Sequence, residues 1–338
     1  MKRIFISGLA CLTGFLTLAG CSGTVSNDIS DSTSTSDIAV KDEKIKIVTA
    51  IFPEYDWVNN IIGERSDNFE VTLLCDNGTD MHSYQPSVED ITKISDSDLF
   101  IYTGGESDEW IADALKNTDD SFKSLNLLEV LGDKLQEEEH IGVAETGHED
   151  HDHDHQDTEY DEHIWLSLKN AETLCGNISE AIKQTDPDNA AIYDENAKAY
   201  VNQLEQLDRK YKETVEGSAI KTLLFADRFP FLYMTKDYGI DHYAAFNGCE
   251  AETEASFETI IFLSGKIEEL DLKNVMVIEG SDKRLAETVI SNTKNKDQSI
   301  LELDSMQSVT KQDIESGMSY LSVMEENLKT LGEALGSK

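Results

Sequence analysis

From Asp188 to roughly Glu216 no Gly or Pro interrupts the chain, and Ile192, Ala197, Tyr200, Leu204, Leu207 and Tyr211 recur with a period near 3.6. Pro187, after Asp186, stands where a helix starts rather than where one continues. At about 1.5 Å per residue the segment predicts a helix of roughly 40 Å, the dimension of a whole domain. A rod of that length cannot sit inside one small layer. It predicts a stiff helix, 187–217, joining two lobes.

Strand-like and helix-like runs alternate on both sides of it. Before it, Lys44–Phe52 is a β-rich run stopped by Pro53, and Trp57, Val58, Ile61 and Ile62 give a helical stripe closed by Gly63. Phe69–Cys75 and Leu99–Tyr102 read as strands, and Ser87-x-x-Asp90 opens a capped helix. Ser167–Lys183 is helical. After the rod come strands at Thr222–Phe225, Tyr243–Phe246, Val275–Ile278 and Ser299–Leu303. Between and after them lie helices at Pro230–Tyr238, Phe257–Leu270, Leu285–Ser291 and Lys311–Leu335. The expectation is an α/β protein of two lobes, 44–186 and 218–338, each a mostly parallel sheet flanked by helices. Ligands of such sheets bind beyond the carboxyl ends of the strands.

One stretch fits neither period. Six of the eight histidines (His140, His148, His151, His153, His155 and His163) lie between 140 and 163, and from Glu137 to Glu162 there are twelve carboxylates and no Lys or Arg. Alternating His and Asp leaves no apolar face to bury, so 137–162 is expected to be a loop. Charge repulsion accounts for the Asp residues but not for His at alternate positions. Imidazole with carboxylate is a donor set for divalent zinc, copper or nickel. His148, His151, His153 and His155 are therefore expected to collect metal weakly.

The sequence opens with Met1-Lys2-Arg3, an apolar run from Ile4 to Leu18, and Leu18-Ala19-Gly20-Cys21. That order predicts a lipoprotein signal, 1–20, with Cys21 left as a lipidated residue on the outer face of the bacterial cytoplasmic membrane. The Ser-, Thr- and Asp-rich residues up to 43 read as a tether. The run is short for a membrane span. With 67 acidic against 28 basic residues the net charge is −39, which excludes a general nucleic-acid binder and suits cation capture. Cys75, Cys175 and Cys249 are widely spaced, form no CxxC, and leave any disulfide pairing open.

His82-Ser-Tyr-Gln-Pro-Ser87 and Asp161-Glu-His163-Ile-Trp165 are distinctive motifs. So are Leu303-Asp304-Ser305 and the helix holding Asp186-Pro-Asp-Asn, Tyr193, Asn196-Ala197 and Leu207-Asp208. Together, from Lys44 to the C-terminus, they resemble the zinc and manganese substrate-binding lipoproteins of ABC importers. The resemblance implies that His82, His163 and Asp304 are metal ligands. At the third ligand position, where the family carries His or Glu, it places Arg228, which has no lone pair to donate. Asp227 is the nearest competent group, with Glu252 and Glu254 in reserve. It also implies a non-enzymatic monomer that carries Zn2+, with Mn2+ as the alternative, to the permease and ATPase subunits of an importer. A surface adhesin or metal buffer, or an extracellular zinc hydrolase with an open water position, are the rival readings; the chain lacks His-Glu-x-x-His.

Overall fold

Eight strands among the described residues form two separate sheets of four, each parallel throughout. The computed structural model describes residues 43–115, 122–138, 159–248 and 255–337. The first sheet is ordered β2-β1-β3-β4, from β1 (Ile45–Thr49), β2 (Phe69–Leu73), β3 (Leu99–Tyr102) and β4 (Ser124–Asn126). The second repeats the order as β6-β5-β7-β8, from β5 (Thr222–Phe229), β6 (Asp241–Asn247), β7 (Asn274–Ile278) and β8 (Ser299–Leu303). The helices are α1 (Phe52–Ile62), α2 (Val88–Ser95), α3 (Glu109–Ala114), α4 (Leu127–Leu131), α5 (Leu168–Thr185), α6 (Ala190–Gly217), α7 (Leu232–Tyr238), α8 (Phe257–Leu270), α9 (Arg284–Ser291), α10 (Lys311–Glu315) and α11 (Tyr320–Ala334). Two parallel sheets flanked by helices and joined by one long helix is the architecture expected from the alternation.

The long helix α6 buries Tyr193, Ala197, Tyr200, Leu204, Leu207, Tyr211 and Val215, every third or fourth residue. The stripe begins at Tyr193 and not at Ile192, because the Tyr193 ring packs edge-on against Phe69 and its hydroxyl donates to Asp186. Asn196 Nδ2 donates to the Ile61 carbonyl at 2.9 Å, and Tyr211 donates to the Met324 carbonyl at 2.7 Å. So α6 is anchored on α1 and, at its other end, on α11. A single buried apolar cluster runs from Ile47 and Trp57 through α5 and α6 to Phe225, Leu303 and Tyr320. The two sheets are therefore fastened along a common back, and opening at the front cannot be large without breaking that core.

Several boundaries differ from the sequence reading. Pro53 does not stop a strand; β1 ends at Thr49, and Pro53 lies in the first turn of α1, where its missing N–H costs nothing. The closing helix is broken: Gly317 adopts φ +94, and Ser319 restarts the chain as α11 in a reciprocal cap with Ser322. Strand β5 runs four residues beyond Phe225, with an irregularity between Phe225 and Arg228. Cys75 and Cys175 are buried free thiols. The signal, tether residues 21–42 with Cys21, Cys249, and residues 139–158 of the 137–162 tract lie outside the described residues. No helix among the described residues is long and apolar enough to cross a membrane.

Candidate metal centre

His82 sits in a single 3-10 turn, Met81–Ser83, beyond the carboxyl end of β2. Asp80 caps this turn, its Oδ1 accepting from the His82 backbone N–H at 3.0 Å, while Met81 plugs into the core. His163 precedes a second 3-10 turn, Ile164–Leu166, all three of whose side chains are buried. Asp161 plays the matching part there, accepting from the His163 backbone N–H at 2.8 Å. Eighty-one residues apart in sequence, the two imidazoles meet with Nε2 atoms 3.1 Å apart.

Each ring is held by its other nitrogen. Nδ1 of His163 lies 3.1 Å from Asp161 Oδ1, and Nδ1 of His82 lies 2.7 Å from Ser107 Oγ. Asp161 accepts from the Nδ1–H of His163, which fixes the ring's orientation and leaves Nε2 as the nitrogen that faces His82. Asp161 is itself fixed from the second lobe, its carbonyl accepting from Tyr233 of α7 at 2.9 Å. Glu162 lies between the two: its Oε1 accepts from the Ser107 N–H at 2.9 Å, and its Oε2 stands 3.9 Å from Nδ1 of His82. Glu162 packs so closely over Gly105, at φ +89, that a Cβ there would overlap its carboxyl group. Gly248 likewise admits His163: a Cβ at that position would stand 2.9 Å from the ring's Cε1.

The two rings differ electrostatically. Burial pushes His82 down to about 3, reinforced by repulsion from His163. Burial also disfavours charge on His163, but the Asp161 carboxylate outweighs it and raises that ring above its usual range.

Across from the pair, Gln307 brings its Oε1 to 3.3 Å from Nε2 of His163. Asp304, just past β8, uses Oδ1 to accept from the Met306 N–H at 2.8 Å. Asp227 lies inside the irregular part of β5, and its Oδ1 accepts from the Arg228 N–H at 2.9 Å. It lines a cleft of about 740 Å³ together with Asp80, Arg228 and Glu279. Among the described residues no three His, Cys, Asp or Glu side chains are arranged to hold a metal ion. The structure thus brings His82 and His163 together and leaves Asp227 and Asp304 outside a ligating cluster with them. His148, His151, His153, His155, Glu252 and Glu254 lie outside the described residues. Sequence reasoning missed Ser107, Gln307 and the Arg228–Asp80 link. Only Gln307 carried a signal, being a polar residue three places after an expected ligand at a strand end.

Residues 47–334 match the family described as zinc-uptake complex component A, periplasmic. The chain belongs to that family. It is 28% identical to the high-affinity zinc uptake system protein ZnuA of Bacillus subtilis over 97% of both chains. It is 30% identical to the zinc-binding lipoprotein AdcA of Streptococcus pneumoniae over 86% of its own length, but it spans only about half, 56%, of that relative. The Zn(II)-bound ZnuA-like domain of that AdcA superposes with a TM-score of 0.68 at 26% identity, covering 87% of this chain and 99% of the domain. The family is one of binding components of uptake systems rather than enzymes.

Proposed function

We propose that this protein captures a divalent metal ion as cargo at His82 and His163 and delivers it to an ABC permease with its ATPase. The cargo assigned is zinc. The carrying observation is the 3.1 Å approach of the two Nε2 atoms, each ring held by its Nδ1 partner. Donor atoms sharing one zinc at bonds of about 2.0–2.1 Å stand roughly 3.3 Å apart in a tetrahedron, so the pair is spaced as two ligands of one ion. Asp304, on the loop after β8, is the acidic ligand proposed to join them on closure, with Asp227 in reserve. A filled four-donor shell leaves no place for a reactive water, which separates a carrier from a hydrolase. The second reading, manganese as cargo, is favoured by the oxygen donors facing the histidines from the second lobe. The lobes are taken as 44–186 and 218–338 about the helix 187–217. Lipidation of Cys21 would hold the protein at the cell surface, and the His-rich tract would concentrate ions nearby.

The test is a chelator-competition titration of the purified protein with zinc and manganese, beside His82→Ala and His163→Ala. One tight equivalent is expected in the unsubstituted protein and none in either variant, with unchanged circular dichroism. Tight binding that survives both substitutions would place the cargo elsewhere.

A further inference from the structure

With Arg228 unable to donate a lone pair, the centre lacks a third donor of the type the family carries. The geometry points to the side-chain carboxamide oxygen of Gln307 as that third metal-binding atom. The inference rests on the capture reading above and names a ligand of the same site.

Three observations carry it. The first is distance: Gln307 Oε1 lies 3.3 Å from Nε2 of His163, which in turn lies 3.1 Å from Nε2 of His82. Consecutive donor separations of this size match the edges of a tetrahedron around zinc, roughly 3.3 Å for bonds of about 2.0–2.1 Å.

The second is orientation. The Gln307 side-chain nitrogen donates to Ser305 Oγ at 2.8 Å, and Ser305 Oγ donates its only proton to Glu279 Oε1 at 2.7 Å. Because that proton is committed to a carboxylate, Ser305 Oγ can only accept from Gln307. The nitrogen end of the amide is therefore fixed at Ser305 and the oxygen end at the imidazoles. The backbone N–H groups of Ser305 and Gln307 also donate to Glu279, at 2.7 and 3.1 Å, so the whole loop is clamped to one buried carboxylate.

The third is burial. Gln307 is only 3% exposed and His163 is fully buried, so the carboxamide oxygen and the imidazole nitrogen face each other out of bulk water, where an ion between them keeps its attraction for both. A neutral carboxamide oxygen is a harder donor than imidazole, so this substitution narrows the preference for zinc over manganese.

The experiment uses the full chain with Gln307→Met, which keeps length and removes the oxygen, and Gln307→Glu, which keeps an oxygen and adds charge. Zinc affinity is read by chelator competition and the donor set by the visible spectrum of the Co2+-loaded protein. Gln307→Met should bind zinc about ten- to a hundredfold more weakly, on the scale set by outer-shell partners as a lower bound. Its Co2+ bands should shift while its circular dichroism stays that of the unsubstituted protein. Gln307→Glu should regain tight binding and gain affinity for Mn2+. Zinc affinity within twofold and an unchanged Co2+ spectrum in Gln307→Met would overturn the assignment. So would a Gln307→Met affinity loss that Gln307→Glu does not recover. If the unsubstituted protein itself bound no zinc, the capture reading would fall and this assignment with it, so the two failures are distinguishable.

Discussion

Arg228 and Asp80 form an ion pair of 2.5 Å between β5 of the second sheet and the turn that carries His82. Asp80 uses its other oxygen to cap that turn. One carboxylate thus shapes a proposed ligand's backbone and ties it to the opposite lobe. Burial pushes the Asp80 carboxyl up, but hydrogen bonding and charge from Arg228 outweigh it and hold it below the usual carboxylate range. Both side chains are largely shielded, so Arg228→Ala should cost about 1–3 kcal/mol and lower Tm. A carboxylate with a lowered folded-state pKa contributes stability above its unfolded value of about 3.9 and loses it as pH falls through the folded value. The Tm gap between the variant and the unsubstituted protein should be full at pH 7 and shrink below about pH 4. A gap that keeps its full pH 7 size at pH 3 would show that Arg228 acts by packing instead.

The two histidines should behave differently when metal arrives. His82 is pushed down to about 3 by burial and by its neighbour, so it is already neutral. His163 is raised by Asp161 against the opposing effect of burial, so near pH 6 it still carries a proton that the ion must displace. Binding at pH 6 should release close to one proton per ion, and affinity should fall about tenfold per pH unit below the folded pKa of His163. Calorimetry in buffers of different ionisation enthalpy measures the count. Two protons per ion would mean that His82 is not the neutral partner described.

The sheets, the rod and the histidine pair were legible in the sequence because each has a local signature. Period 3.6 exposed α6, apolar runs exposed most strands, and His82 and His163 sit in motifs with fixed neighbours. What escaped was set by contacts distant in sequence. Ser124–Asn126 is too short and polar to announce an edge strand and forms only by pairing with β3. The β5 extension through Asp227 and Arg228 depends on pairing with Phe246 and Asn247. Arg228 reads as a local partner for Asp227, yet its guanidinium reaches 148 residues back to Asp80. Gln307 had only its place three residues after Asp304 to mark it; its orientation comes from Glu279 and Ser305, and no spacing rule encodes that chain.

Trp165 links the two proposed ligand loops. Its indole N–H donates to the Ser305 carbonyl at 2.8 Å, and its own carbonyl accepts from Tyr320 at 2.6 Å. Trp165→Phe keeps most of the ring but leaves the buried Ser305 carbonyl without that donor, a loss of about 1–3 kcal/mol. Because Ser305 also orients Gln307, zinc affinity should fall along with Tm. A variant destabilised by this amount with undiminished affinity would mean that the two loops are positioned independently.

The acidic tract makes a separate demand. His148, His151, His153 and His155 alternate with carboxylates, and Asp161, Tyr233 and Trp165, the residues around His163, all lie outside 148–155. Removing 148–155 should therefore leave one tight equivalent of zinc with unchanged affinity and abolish the several weak equivalents that follow it in a titration. The consequence for capture is kinetic: weak sites beside a cleft raise the local ion concentration and so the rate of loading. Stopped-flow loading at limiting zinc should be slower in the deletion variant, and the difference should shrink as salt rises and screens the tract. If the deletion removed the tight equivalent as well, the tract would belong to the site itself and the collector role would be lost.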